Sequence, residues 1–343
     1  MRLTGVWSMQ LLSQLLDLAK KHPARIVVCE ADDPRILTAA HRAHQAGVAK
    51  MYLVGSTEAI YSTAESLQLN LDGMQLEDPA TSSKRDKLAE ALAAKRRHKG
   101  MTREQAWDAL ADPLCFATML VHCGDADGSV AGAVYSTADV VRSALQLIGK
   151  APTTELVSSF FLMLFTKSHH PSQTGVIFSD CGLVIDPDEK ELAAIALAAV
   201  DSAKLLLQTE PRVAMLSFST ARSASHPAVT KVVNAAQRVK AVLPNLAIDE
   251  DIQFDAAIVP EVAAKKLKNS SVNGMANVFI FPNLEAGNIG YKIAERLGGV
   301  MAIGPLIQGL AKPANDLSRG CSAEDAFYVI AITSLQAHHK AQT

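Results

Sequence analysis

The residues best suited to chemistry in this 343-residue chain lie in one long segment near its end, residues 304–325. Ser318 offers a hydroxyl donor for an oxyanion, and Arg319 a planar fork of donors that fits a phosphate group. Asp325 offers a carboxylate that could take a proton from an incoming nucleophile. The three together are suited to acyl chemistry. A plainer reading exists, because Ser322-Ala-Glu-Asp325 matches a capping box, so Asp325 could serve only to start the last helix. Ser318 and Arg319 could likewise be turn residues, and spacing leaves both readings open. Lys312 is not followed by Ser or Thr, which excludes a P-loop, and no Gly-x-Gly-x-x-Gly follows any strand.

Two other clusters favour anions. Lys95-Arg96-Arg97-His98-Lys99 ends at Gly100, where a helix would stop. Helix-end electrostatics explain one or two cations there, and an anionic ligand explains five basic or titratable groups better. In Gly124-Asp-Ala-Asp-Gly128 and on through Ser136-Thr137, small residues precede a helix whose free amides suit an anion. Arg142 follows within two turns of that helix; such an arginine is ordinarily just exposed. The ten histidines form no metal set, and His169-His170 reads as a loop pair.

These residues need elements to hold them. Arg25-Ile-Val-Val-Cys29 and Lys50-Met-Tyr-Leu-Val54 read as buried strands, followed by helices at 34–45 and 57–67. Residues 83–150 are helical in pattern, with breaks at 98–100, 112–113 and 123–132. Strands return at 175–178, 213–217, 277–281 and 300–303, separated by helices at 188–207, 228–243, 254–266 and 286–297. A last helix covers 323–339. This alternation predicts an α/β protein with parallel sheets and sites beyond the carboxyl ends of strands. The apolar share of 49% supports a large core, and a net charge of -2 gives no reason to expect nucleic acid or an anionic membrane. The N-terminal stretch is an amphipathic helix rather than a signal peptide, and the run 192–200 is too short to span a bilayer. Five scattered cysteines without a C-x-x-C pair fit reduced thiols and a cytoplasmic protein.

In order along nearly the whole chain, the segments resemble the phosphate acetyltransferase and butyryltransferase family. The resemblance is carried by Arg25-Ile-Val-Val-Cys-Glu30 with Arg35, Arg96 through Thr102, and Thr137-Ala-Asp-Val-Val-Arg142. Gln253-Phe-Asp-Ala-Ala257, Ala286-Gly-Asn-Ile-Gly-Tyr-Lys292 and Gly309-Leu-Ala-Lys-Pro313 through Ser318-Arg-Gly-Cys321 complete it. The resemblance implies two α/β domains of the isocitrate/isopropylmalate dehydrogenase-like kind with a cleft between them. Residues 1–151 plus 301–343 would form the first, and 152–300 the second, which would carry a homodimer interface.

The implied reaction is reversible acetyl transfer between acetyl phosphate and coenzyme A by direct thiolate attack. Coenzyme A is then a substrate, and neither cofactor nor metal is expected. By motif position Asp325, Ser318 and Arg319 would be catalytic; Arg319, Arg142, Ser136 and Thr137 would hold the acyl phosphate. Arg96, Lys99, Asn288 and Lys292 would contact coenzyme A. As a base for a thiol, Asp325 would need burial to raise its pKa from near 4. The chain departs from the family pattern at Cys29, Ala31, His122-Cys123 and Arg222. A longer acyl group, as in a phosphate butyryltransferase, and a non-catalytic acetyl-coenzyme A-sensing domain are the alternatives.

Overall fold

Pro23 and Glu30 bracket a run whose β-branched residues suit a strand covered on both faces, and Ile26, Val27 and Val28 are fully buried. The computed structural model describes residues 6–165 and 175–342, and the side chains from Gln10 onward. His169-His170 lies outside the described residues. In chain order the elements are α1 (Val6–Lys21), β1 (Ala24–Val28), α2 (Pro34–Gln45), β2 (Ala49–Val54), α3 (Thr57–Ser66), β3 (Gln75–Glu77), α4 (Arg85–Arg96), α5 (Arg103–Ala109), α6 (Pro113–Cys123), β4 (Gly128–Ala131) and α7 (Thr137–Ser143). They continue with β5 (Ser158–Leu164), β6 (Gly175–Ser179), α8 (Glu189–Leu207), β7 (Arg212–Leu216), α9 (Pro227–Val242), β8 (Ala247–Ile252), α10 (Phe254–Ile258), α11 (Pro260–Lys266), β9 (Val278–Ile280), α12 (Leu284–Arg296), β10 (Met301–Gln308), β11 (Ala314–Asp316) and α13 (Ala323–Gln342).

The chain forms two compact units. One comprises residues 13–152 and 310–343. Its sheet runs β11-β4-β1-β2-β3 and is parallel throughout. Two of these strands, β4 and β11, lie where a break between helical stretches and a loop are expected. Gly128-Ser-Val-Ala131 is buried at every position between β1 and β11. Gly128 has room for no side chain, since a Cβ would come 2.9 Å from Thr333 Cγ2 and 3.0 Å from Pro313 Cγ.

The other unit comprises residues 1–12 and 153–309, with a sheet ordered β10-β5-β6-β9-β7-β8. Its β6, β9, β7 and β8 are parallel, whereas β5 is antiparallel to both β6 and β10. Residues 301–309 are expected with the first domain, yet β10 pairs with β5, so the division falls after Gly309. The helix expected over 254–266 is two helices. Pro260 excludes α conformation at Val259, which is extended at φ -116 and ψ 109.

Candidate active site

Parallel strands end at one edge of their sheet, and their following loops meet there. In the first unit Val28 of β1 is in register with Val130 of β4, and Ala131 of β4 with Asp316 of β11. The loops 29–33, 132–136 and 317–322 are therefore neighbours, although they are far apart in sequence.

Glu30 organises the middle loop. Its carboxylate is 3% exposed and accepts from the backbone N–H groups of Gly132, Ala133, Val134 and Tyr135 at 2.8–3.2 Å. Four donors are what a buried carboxylate needs in place of water. The loop is held at its far end by the Tyr135 hydroxyl, which donates to Asp112, the N-cap of α6. Gly132 sits at φ 114, and a Cβ there would overlap Asp316 Oδ1.

Arg35 joins all three loops. Its Nε and Nη2 fork Asp33 at 3.1 and 2.8 Å, and Nη2 also donates to the Ala133 carbonyl at 3.1 Å. Nη1 donates to the carbonyls of Arg319 and Cys321 at 2.7 and 3.2 Å. Held by this guanidinium, the Asp33 carboxyl lies below the ordinary aspartate range. Asp33 also caps α2, accepting from the Arg35 amide at 2.8 Å.

The predicted trio sits on the third loop. Ser318, Arg319 and Gly320 are exposed. Ser318 Oγ accepts from the Gly320 amide at 3.3 Å, which leaves its own proton available. The Arg319 guanidinium has no hydrogen bond or ion pair among the described residues. Asp325 is half-buried, and the capping box is realised: Oδ2 accepts from the Ser322 amide and hydroxyl, each at 2.8 Å, while the Asp325 amide donates to Ser322 Oγ at 3.1 Å. Both bonds to its carboxylate fall on Oδ2, so the cap does not use Oδ1. The deep burial expected of a base falls instead on Asp316, which is 0% exposed. Burial first, and the charge of Glu30 in addition, push Asp316 up to about 7 against the opposing Thr137 hydroxyl and Leu317 amide. Burial also raises the Cys321 thiol, with Asp325, Asp33 and Glu30 adding to it and Arg35 opposing, so a neutral thiol stands beside the trio.

The other candidates divide. Ser136 caps α7 through Asp139, and Thr137 Oγ1 donates to Asp316 Oδ2 at 2.6 Å, which ties loop 132–136 to the end of β11. Arg142 pairs with Asp139 at 2.7 Å on an exposed face of α7. Arg96 ends α4, and Lys99 lies in a tight turn closed by Gly100 at φ 74. No hydrogen bond or ion pair among the described residues ties Arg96 or Lys99 to the Ser318 loop. Asn288 and Lys292 belong to α12 of the second unit. There Asn288 Nδ2 donates to the Cys181 carbonyl at 3.0 Å, and exposed Lys292 lies 5.8 Å from the centre of the Tyr291 ring.

Residues 10–334 match the family model described as phosphate acetyl/butaryl transferase. A phosphate acetyltransferase of Paracoccus denitrificans is 48% identical over 96% of this chain and 99% of its own length. One of Acetivibrio thermocellus is 46% identical over 96% and 99%. A solved phosphotransacetylase from Streptococcus pyogenes superposes with a TM-score of 0.89 at 42% identity, covering 96% of this chain and 99% of that one. Set beside the loop cluster above, these likenesses decide the assignment: the chain belongs to the phosphate acetyl/butaryl transferase family.

Proposed function

We propose that this chain transfers an acetyl group reversibly between acetyl phosphate and coenzyme A, by direct attack of the coenzyme A thiolate. That it is an acyltransferase follows from its family. The observation that carries the finer reading is the meeting of three strand-end loops on Arg35, which presents the exposed Ser318 and Arg319 beside Asp325.

A free thiol titrates at about 8.5, so only a few per cent is thiolate at neutral pH. Asp325 takes the thiol proton through Oδ1, the oxygen that its helix cap does not use. The thiolate attacks the acetyl carbon and charge gathers on the carbonyl oxygen. Ser318 donates to that oxygen, a contribution of about 3 kcal/mol in comparable sites. Arg319 holds the phosphoryl group, with Arg142, Ser136 and Thr137, and stabilises phosphate as it leaves. The resemblance supports Arg96, Lys99, Asn288 and Lys292 as coenzyme A contacts. No acyl-enzyme is formed, and the raised Cys321 thiol suits a bystander.

The exposed apolar residues Ile289 and Ile293 of α12 and Leu297 at its C-cap, spaced by four, support a homodimer through the second unit. Five free cysteines support a cytoplasmic location, and no helix among the described residues is long and apolar enough to cross a membrane. The test is loss of coenzyme A thiol in the presence of acetyl phosphate. Steady turnover is expected, and a purified, folded protein that consumes no thiol contradicts the proposal.

A further inference from the structure

Asp316 is fully buried, yet one atom pair links it to the surface: its Oδ2 lies 2.6 Å from Oγ1 of the exposed Thr137. Its other oxygen, Oδ1, is enclosed without a hydrogen-bond partner, against the space that a Gly132 side chain would occupy. A buried carboxylate is ordinarily surrounded by donors, as Glu30 is a strand away; one so poorly supplied favours the neutral acid. An O···O separation of this size serves either direction of donation. Thr137 has a single hydroxyl proton. With Asp316 ionised, that proton points inward. With Asp316 neutral, the acid donates to Thr137 Oγ1 and the threonine proton is released toward solvent.

We infer that Asp316 is a positioning residue whose protonation switches the Thr137 hydroxyl between an inward bond and donation to a phosphate oxygen of the substrate. This rests on the proposed function, in which Thr137 contacts the acyl phosphate. Since burial places Asp316 at about 7, affinity for the acyl phosphate falls as the pH rises through that value. The charged groups facing this end of β11 are few. Glu30 at the end of β1 acts on Asp316 directly, and it is satisfied by backbone amides. Asp139 and Arg142 on α7 neutralise each other at 2.7 Å. Neighbouring β4 carries no titratable residue; α13 meets β11 with the neutral Thr333 and Gln336, and its Glu324 and Asp325 stand in its first turn.

The experiment is the KM for acetyl phosphate at saturating coenzyme A, from about pH 6 to about pH 8.5, with wild type and variants measured in the same buffers so that any titration of the substrate is common to all of them. Wild-type KM is expected to rise about tenfold across the range, the worth of one hydrogen bond to a charged group. Asp316→Asn, whose amide donates permanently to Thr137, is expected to stay near the acid-side value throughout. Thr137→Val is expected to show a high KM with no such slope. The inference is overturned by a flat wild-type profile, or by either variant keeping the wild-type slope; Thr137→Val decides alone if Asp316→Asn does not fold. Absence of wild-type turnover would refute the proposed function, whereas turnover with an unchanged slope in the variants refutes only the switch.

Discussion

Arg35 Nη1 donates to the carbonyl of Arg319 at 2.7 Å, so a residue in the first turn of α2 sets the backbone of a loop 284 positions later. The same guanidinium holds Cys321 and Ala133 by their carbonyls. Arg35→Lys keeps the charge and loses the fork, because an ammonium cannot span Asp33 and three carbonyls at once. Loss of one or two such bonds is worth about 1.5–3 kcal/mol. The expected outcome is a kcat/KM lowered about tenfold to a hundredfold with an unchanged circular dichroism spectrum. Wild-type kinetics in this variant would show that the loop holds its shape unaided.

Glu30→Gln removes the charge that four loop amides converge on, and puts a donor where only acceptors fit. Urea unfolding should show a loss of about 2–3 kcal/mol from amides left unpaired. A loss within error would mean that the 132–135 amides find other partners.

Gly132→Ala asks for a side chain where φ is 114 and where the Leu317 carbonyl and amide would stand 2.6 and 2.7 Å away. Backbone strain alone is worth about 1–3 kcal/mol there. A Tm lowered by several degrees is expected, together with a raised KM for acetyl phosphate, since the Asp316 end of β11 must move. An unshifted Tm contradicts the close packing of these two loops.

Asp316 also makes stability depend on pH, with a definite sign. Its folded pKa of about 7 lies above the unfolded value near 4, so the folded protein holds the extra proton between them. The stabilisation is complete below about pH 4 and is lost as the pH rises through about 7. At its largest the effect is about 4 kcal/mol. Asp316→Asn should therefore gain on wild type steadily over this window in chemical denaturation. A constant difference between the two proteins would show that Asp316 does not titrate there.

Much of the frame is legible in the sequence, and the reasons it stops are physical. The strand expected at 25–29 and the helices expected at 34–45 and 188–207 carry their apolar pattern locally, and they form within one residue of those bounds. The expected loop over 304–325 contains the end of β10 and all of β11, and Gly128-Ser-Val-Ala131 is a strand inside a Gly-rich stretch. Such three- and four-residue strands have no period of their own, and their partners are distant in sequence. Ser318, Arg319 and Asp325 are readable as chemical groups. Glu30 and Asp316 are not, because burial comes from neighbours that only the fold supplies. Arg35 leaves one trace: a cation in the first turn of a helix opposes the helix dipole, and so asks for partners outside the helix.

Asp325 is both helix cap and proposed base, and one substitution separates the roles. Asp325→Asn retains a side-chain oxygen for the Ser322 cap, so stability should hold within about 1 kcal/mol. A parallel change, Arg319→Gln, should raise KM for acetyl phosphate more than KM for coenzyme A, and a defect confined to coenzyme A would reassign that guanidinium.

The most direct measurement is the kcat of Asp325→Asn beside wild type, followed by thioester formation from acetyl phosphate and coenzyme A. A general base contributes about a hundredfold or more. A fall of at least that size is expected, with both KM values near those of wild type. Turnover at the wild-type rate would contradict Asp325 as the base.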